Sequence, residues 1–395
     1  MHTRHPIECI VPPYVLRSIQ ANGTPAQQVW AMRTLTNSAQ FRGQRQVLAE
    51  IAPLALAPRV VGKRRMIYDA EHGFILPGRL VRSEGDPPTG DPAVDEAYDG
   101  SGHTYDLFSE IFGRDSIDGR GLQLDSTVHY QSSYDNAFWN GQQMVYGDGD
   151  EDLPPAERLF NRFTLSLDVI GHELTHGVTQ YEARLVYWNQ PGALNESFSD
   201  VFGILTRQRA LNQTAAESDW LIGAELLTSN VNGKAIRSMA EPGTAYNDPI
   251  LGRDPQPGHM NDYVNTFDDN GGVHINSGIP NRAFYITARE LGGFAWERAG
   301  QIWYYALRDR LQPQSNFQDA ATATYELAGE LYGSGSLEQQ AVRTGWAEVG
   351  ITVGEVPQPE PGPVPIPQPV PGKGCLPVAA SVLDPVLRLG RRRSS

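Results

Sequence analysis

Cysteine is almost missing from this sequence: 395 residues contain two, Cys9 and Cys375, near opposite ends. That excludes a disulfide framework as the source of stability. Long apolar runs are missing too. No stretch approaches the roughly 18 consecutive apolar residues of a membrane-spanning helix, so no membrane span is expected. The opening residues, MHTRHPIECI, lack the apolar run of roughly 7–15 residues that marks a secretory signal. The compartment and export route stay open. Positive charge is scarce, with 32 Lys and Arg against 46 Asp and Glu and a net charge of -14. No nucleic-acid partner is expected of such a surface. Nothing repeats at a fixed period, which removes solenoid architectures.

What is present fits a globular chain of two or more domains, with 40% apolar and 20% charged residues. Residues 1–60 show little domain character beyond the run Pro12-Pro13-Tyr14-Val15-Leu16 and the arginines Arg33, Arg42 and Arg45. Lys63-Arg64-Arg65 then reads as an exposed loop, a natural place for a cut. From about 66 to 155 the pattern is strand-rich, ending in the turn Gly147-Asp148-Gly149-Asp150. Within it, Val94 to Phe112 predicts a helix broken at Gly100 and Gly102. Helical patterns dominate 156–353. Prolines then occupy every second position from Pro357 to Pro371, an extended spacer. The tail that follows carries Arg391-Arg392-Arg393 and is interrupted by Pro377 and Pro385, so it is not read as an anchor.

The chemistry-bearing run is His172-Glu173-Leu174-Thr175-His176. Two histidines four apart share one helix face and can hold one metal, with the glutamate beside them. Ile170, Leu174, Val178 and Tyr181 form an apolar stripe on the opposite side. The spacing therefore predicts a helix with a buried face and a displayed face. A hydrolytic zinc takes three protein ligands and keeps an open position for water. The third candidate is Glu196, on a second predicted helix whose apolar side is Phe198, Val201, Phe202 and Leu205. Asp200, one turn later, can accept the spare N–H of a zinc histidine.

The run GHELTHGVTQYEARLVYWNQPGALNESFSDVFG (171–203) resembles the thermolysin family of metallopeptidases. YDNAFWNGQQMVYGDGD (134–150), RSM (237–239) and DNGGVHINSGIPNRAFY (269–285) extend the resemblance over about 66–353. It implies an α+β, two-lobed fold: a β-rich N-terminal lobe, 61–165, and a helical C-terminal lobe, 166–353, with zinc in the cleft between them. It implies His172, His176 and Glu196 as zinc ligands, Glu173 as general base and Asp200 as the carboxylate orienting His172. Tyr187 and His274 match the oxyanion-stabilising pair, and Asp269 the partner of that histidine. Asn136, Ala137 and Arg237 match residues that hold the substrate backbone.

The front segment, 1–60, resembles the short inhibitory propeptide of the protealysin branch, with Pro12-Pro13-Tyr14 as its signature. This implies a self-processed precursor cut near 53–66. Calcium is the point of departure. Asp168 and Asp219 keep family positions, but Arg207, Leu221 and Ala224 stand where further acids are expected, and Lys234 replaces an acid at another site. Strong calcium dependence is not expected; one weaker site stays open. Phe160, Phe163, Val169, Ile222 and Ile236 fall near the pocket that receives the residue after the cut, which implies medium apolar side chains there. The reading is a zinc-dependent neutral endopeptidase acting on proteins or peptides, a monomer inhibited by its own propeptide. An inactive peptide-binding relative and a zinc exopeptidase are the alternatives. The spacer and tail, 354–395, have no assigned role.

Overall fold

The computed structural model describes residues 8–51 and 61–354, and the side chains of 9–38 and 61–354 within them. The spacer, the tail, Cys375 and most of the expected cut region lie outside the described residues.

Six short strands form one mixed sheet in the order β1-β5-β6-β4-β2-β3. They are β1 (Glu8–Cys9), β2 (Arg65–Asp69), β3 (Arg79–Ser83), β4 (Leu124–Val128), β5 (Ala137–Trp139) and β6 (Met144–Tyr146). Strands β2, β4 and β6 run parallel. Strands β3 and β5 run antiparallel to their neighbours, and β1 pairs antiparallel with β5. The front segment is thus more ordered than its composition suggests. After β1, Pro12 precedes helix α1 (Pro13–Asn22), whose first position suits proline because its missing N–H would have no helical partner. Val15, Leu16 and Ile19 bury one face of α1, and Gly23 ends it. Helix α2 (Pro25–Ile51) follows.

Helix α3 (Pro92–Asp106) starts at Asp91, whose side chain accepts from the Ala93 and Val94 amides. The expected break at Gly100 and Gly102 does not occur: α3 runs through both and continues into a wide turn at Leu107–Ile111. The reason is packing. A Cβ on Gly100 would lie 2.4 Å from Ile170 Cδ1, and one on Gly102 would lie 2.3 Å from Arg65 Nη1. Glycine is needed here for close approach, which outweighs its low helix propensity.

Ile170 lies on α4 (Leu167–Tyr181), which packs against α3, β5 and α5 (Asn189–Ala210). Helices α4 and α5 meet almost backbone to backbone, since a Cβ on Gly203 would sit 2.4 Å from the Asp168 carbonyl oxygen. Beyond α5 come the hairpins β7 (Leu221–Ile222) with β8 (Arg237–Ser238) and β9 (Asn247–Asp248) with β10 (Gly252–Arg253). The rest is helical: α6 (Asp269–Asn276), α7 (Gly278–Leu291), α8 (Ala299–Asp309), α9 (Phe317–Tyr332) and α10 (Leu337–Ala347). The architecture is α+β, with a sheet-bearing N-terminal part and a helical C-terminal part. Among the described residues, no helix is long and apolar enough to cross a membrane.

Candidate active site

Helix α4 carries His172, Glu173 and His176, and it is buried on every side from Asp168 to Thr179. The expected apolar stripe is there, with Ile170 and Leu174 each 1% exposed and Val178 fully covered. The expected display of the opposite face is not: His172, Glu173 and His176 are equally inaccessible. Strand β1 lies over that face, so the front segment closes what the helix pattern alone leaves open.

Helix α5 supplies Glu196 and Asp200, both buried. Nδ1 of His172 faces Asp200 Oδ1 at 2.8 Å, and Nδ1 of His176 faces Asn195 Oδ1 at 2.9 Å and Ser199 Oγ at 3.0 Å. Carboxylate and amide oxygens only accept, so each Nδ1 carries the proton and each Nε2 presents a lone pair. Those two Nε2 atoms stand 3.0 Å apart. Two lone pairs at that distance repel unless a cation lies beside both. Glu196 stands on the same spot, its Oε2 3.5 Å from His172 Nε2 and its Oε1 3.5 Å from His176 Nε2. Oε2 has no hydrogen-bond partner although it is buried. Two converging imidazoles and a carboxylate with an unused oxygen form the donor set of a three-ligand zinc site. The residues fit that ion.

Asp200 is the hub behind the site. Its carboxylate accepts from His172, from Arg237 Nε at 2.8 Å and Nη2 at 2.7 Å, and from Asn281 Nδ2 at 2.8 Å. Burial alone would raise its pKa, but the charges of Arg237 and His172 hold the carboxyl well below the usual range.

On the other side, Tyr187 donates its hydroxyl hydrogen to Glu196 Oε1. The same hydroxyl lies 3.1 Å from His274 Nε2. His274 Nδ1 faces Asp269 Oδ1 at 2.6 Å, and its backbone N–H donates to Asp269 Oδ2 at 2.8 Å. Asp269, Asn270, Gly271 and Gly272 all have positive φ, at 51°, 52°, 82° and 77°. That left-handed turn, eased by two glycines, folds the aspartate back beneath the ring. Burial would lower the His274 pKa; the charges of Asp269 and Glu196 more than offset it and raise it to about 9.

Strand β1 occupies the cleft against this set. The Ile10 amide donates to the Ala137 carbonyl at 3.4 Å, and Arg237 Nη1 donates to the Ile10 carbonyl at 3.0 Å. Asn136 brackets the next residue: Val11 N–H donates to its Oδ1 at 3.0 Å, and its Nδ2 donates to the Val11 carbonyl at 3.3 Å. All the residues expected to hold a backbone are thus holding this chain's own. Phe160, Phe163, Val169, Ile222 and Ile236 are all buried in the apolar cluster that also contains Ile10. Arg207 faces Asp219 at 3.0 Å, Glu225 at 3.1 Å and Asp168 at 3.6 Å. Lys234 lies apart, beside Arg253 in a shallow cavity.

Residues 64–180 match the model of the thermolysin metallopeptidase catalytic domain, and residues 183–351 match that of the thermolysin metallopeptidase alpha-helical domain. The chain belongs to the thermolysin family of metallopeptidases. It is similar to an extracellular metalloprotease of Pectobacterium carotovorum subsp. carotovorum, 51% identical over 349 residues, 88% of this chain and 97% of that one. It is also similar to protease PrtS of a Photorhabdus species, 46% identical over 88% of this chain and 92% of that protein. Among solved structures it resembles the precursor of protealysin, a metalloproteinase from Serratia proteamaculans. The TM-score is 0.78 at 49% identity, covering 87% of this chain and all of that one.

For a member of this thermolysin family, some supports were invisible in the sequence. Asn195 and Ser199, which fix His176, sit next to Glu196 and three residues after it. Their i, i+4 spacing on α5, flanking Glu196, was the available signal. Asn281, 81 residues from Asp200, gave no local signal at all. Nor did the Trp139 amide, which donates to Glu173 Oε2 at 3.1 Å.

Proposed function

We propose that this metallopeptidase is a zinc-dependent endopeptidase made as a self-inhibited precursor, with His172, His176 and Glu196 as ligands and Glu173 as the base. A zinc ion held by those ligands would supply a Lewis acid and lower the pKa of a coordinated water. Glu173, one residue after the first ligand histidine, takes the proton from the attacking water and returns it to the leaving amine. Tyr187 and His274 donate hydrogen bonds to the carbonyl oxygen as it gains negative charge. Asp269 keeps His274 protonated and aimed. Arg237, Asn136 and the Ala137 carbonyl fix the backbone of the residues after the cut. Asp200 orients both His172 and Arg237, so it ties metal binding to backbone binding.

One observation carries the self-inhibition. Strand β1 enters the cleft with its Cys9 carbonyl oxygen 3.1 Å from His274 Nε2 and its Ile10 and Val11 amides and carbonyls on Ala137, Arg237 and Asn136. An apolar residue, Ile10, stands where the residue after the cut would stand, in line with an apolar preference at that position. Residues 1–60 act as the propeptide, and the spacer and tail after 354 lie outside the catalytic unit.

The test is paired. Intact mass spectrometry of the wild type and of Glu173→Ala should show a trimmed chain only in the first. Casein hydrolysis by the trimmed chain should vanish with a chelator and return with zinc. Trimming of the purified Glu173→Ala protein, or hydrolysis indifferent to chelation, would refute the reading.

A further inference from the structure

A second group of metal-ligating side chains lies in the sheet, apart from the site above. We propose that His72, His129 and Asp148 form an auxiliary site for a divalent transition ion of the zinc type. The potential ligand atoms of the three residues all lie within 4.8 Å of one another.

The topology explains why they meet. Strands β2, β4 and β6 are parallel neighbours, and each of the three residues follows the carboxyl end of one of them. His72 follows β2, His129 follows β4 directly, and Asp148 follows β6. Carboxyl ends of adjacent parallel strands are where open sheets gather ligand-binding residues. The backbone fixes the two histidines together, with the His72 N–H donating to the His129 carbonyl at 2.9 Å. Both adopt left-handed conformations, with φ of 57° and 52°.

The cluster brings ring nitrogens of two histidines to one carboxylate, with a second carboxylate behind one of the rings. Nδ1 of His129 lies 2.9 Å and 3.0 Å from the two Asp148 oxygens, and His72 Nδ1 lies 3.6 Å from Asp148 Oδ2. The other ring nitrogen of His129, Nε2, lies 3.0 Å from Asp91 Oδ2. A carboxylate behind a ligand histidine fixes its tautomer and strengthens it as a donor. Asp91 is itself held, since its other oxygen caps α3. Two imidazoles and one carboxylate suit zinc-like ions. With Asp91 and Asp148 ionised, the neutral-histidine cluster carries two negative charges, which a divalent ion balances. Asp148 is nearly covered, while the His72 side chain is 51% exposed, which gives the ion a way in.

The competing occupant is a proton on His129. Its hydrogen bond to Asp148, working against burial, raises the His129 pKa to about 9. A proton on His129 draws nothing from the His72 ring nitrogens, whereas a metal uses one of them.

The experiment counts metal in full-length wild type and His72→Ala, stripped, reloaded with excess zinc at mildly alkaline pH and desalted. Two zinc equivalents are expected in the wild type and one in His72→Ala. His72→Asp, which restores a ligand, should recover the second. Thermal unfolding adds a check: zinc beyond the first equivalent should raise the wild-type Tm and leave His72→Ala unmoved. One equivalent in the wild type, with casein hydrolysis by its trimmed chain intact, would overturn this inference alone. Two equivalents in both proteins would also overturn it. No metal in any preparation would overturn it together with the peptidase reading.

Discussion

The carbonyl oxygen of Cys9 lies 3.1 Å from Nε2 of His274, and the next carbonyl, that of Ile10, accepts from Arg237. The front segment therefore meets the cleft through its main chain, in one register fixed by hydrogen bonds on both sides of the Cys9–Ile10 peptide.

That register predicts how the precursor can be opened. Ile10 is fully buried, and a carboxylate placed there would cost several kcal/mol. Ile10→Asp should weaken the hold of β1, and each 1.4 kcal/mol is about tenfold in occupancy. The untrimmed variant should hydrolyse casein at least about tenfold faster than the untrimmed wild type. An unchanged lag before activity would contradict this.

Asp200 joins His172 to Arg237, so its loss should strike two functions together. Asp200→Asn keeps the shape and removes the charge. Zinc retention should fall about 10–100-fold, the usual effect of disturbing a carboxylate behind a ligand histidine. Competition with a chelating dye measures it. A rise in KM should accompany the loss, because Arg237 would also be released.

Arg207 stands among Asp168, Asp219 and Glu225, three acids with one cation. Burial and the charge of Glu225 push Asp168 up to about 7, and Arg207 opposes them. Arg207→Ala should destabilise the chain by about 2 kcal/mol or more, because partly buried charges lose their partner. Calcium should then restore the lost Tm, while the wild type should show no such response. Calcium-independent unfolding of both proteins at one temperature would refute the replacement of an ion by a guanidinium.

Asp135 is covered by the front segment, with its N–H facing Thr34 Oγ1 at 3.4 Å and its Oδ1 lacking any hydrogen-bond partner. Burial first, and the charge of Asp150 second, raise its pKa well above the usual value. A carboxyl raised in this way binds a proton in the folded state that the unfolded chain has released. Stability should therefore fall as pH rises from about 4, the unfolded value, toward the raised native value. Asp135→Asn removes that slope. At neutral pH its precursor should melt at least about 3 °C above the wild type, with the gap closing toward acid. A constant gap across the pH range would contradict the assignment.

How far the sequence reached depended on the range of each interaction. His172, Glu173 and His176 were readable because a helical turn brings i and i+4 together. Glu196 was readable because a second amphipathic pattern gave its face. Tyr187 lies in a loop, Arg237 on β8, and Asp269 and His274 on α6, and only family resemblance proposed them. Gly100 misled, since its tight contact with Ile170 lies across two helices. The covered face of α4 was also beyond reach, because periodicity tells which side of a helix is polar but not whether another segment lies upon it. For the same reason the cluster at His72, His129 and Asp148 was unreadable: its members follow three separate strands.

Strand β1 is the outermost member of its sheet, and β5 is the one it conceals. Once the front segment leaves, β5 becomes a free edge and its Ala137 carbonyl loses the Ile10 amide. The next chain to enter must complete that edge by lying straight along it, as strand-adding ligands do. Such a requirement is indifferent to most side chains and strict about shape: stretches locked in helices or rigid folds are spared, while loose loops and unfolding segments are taken.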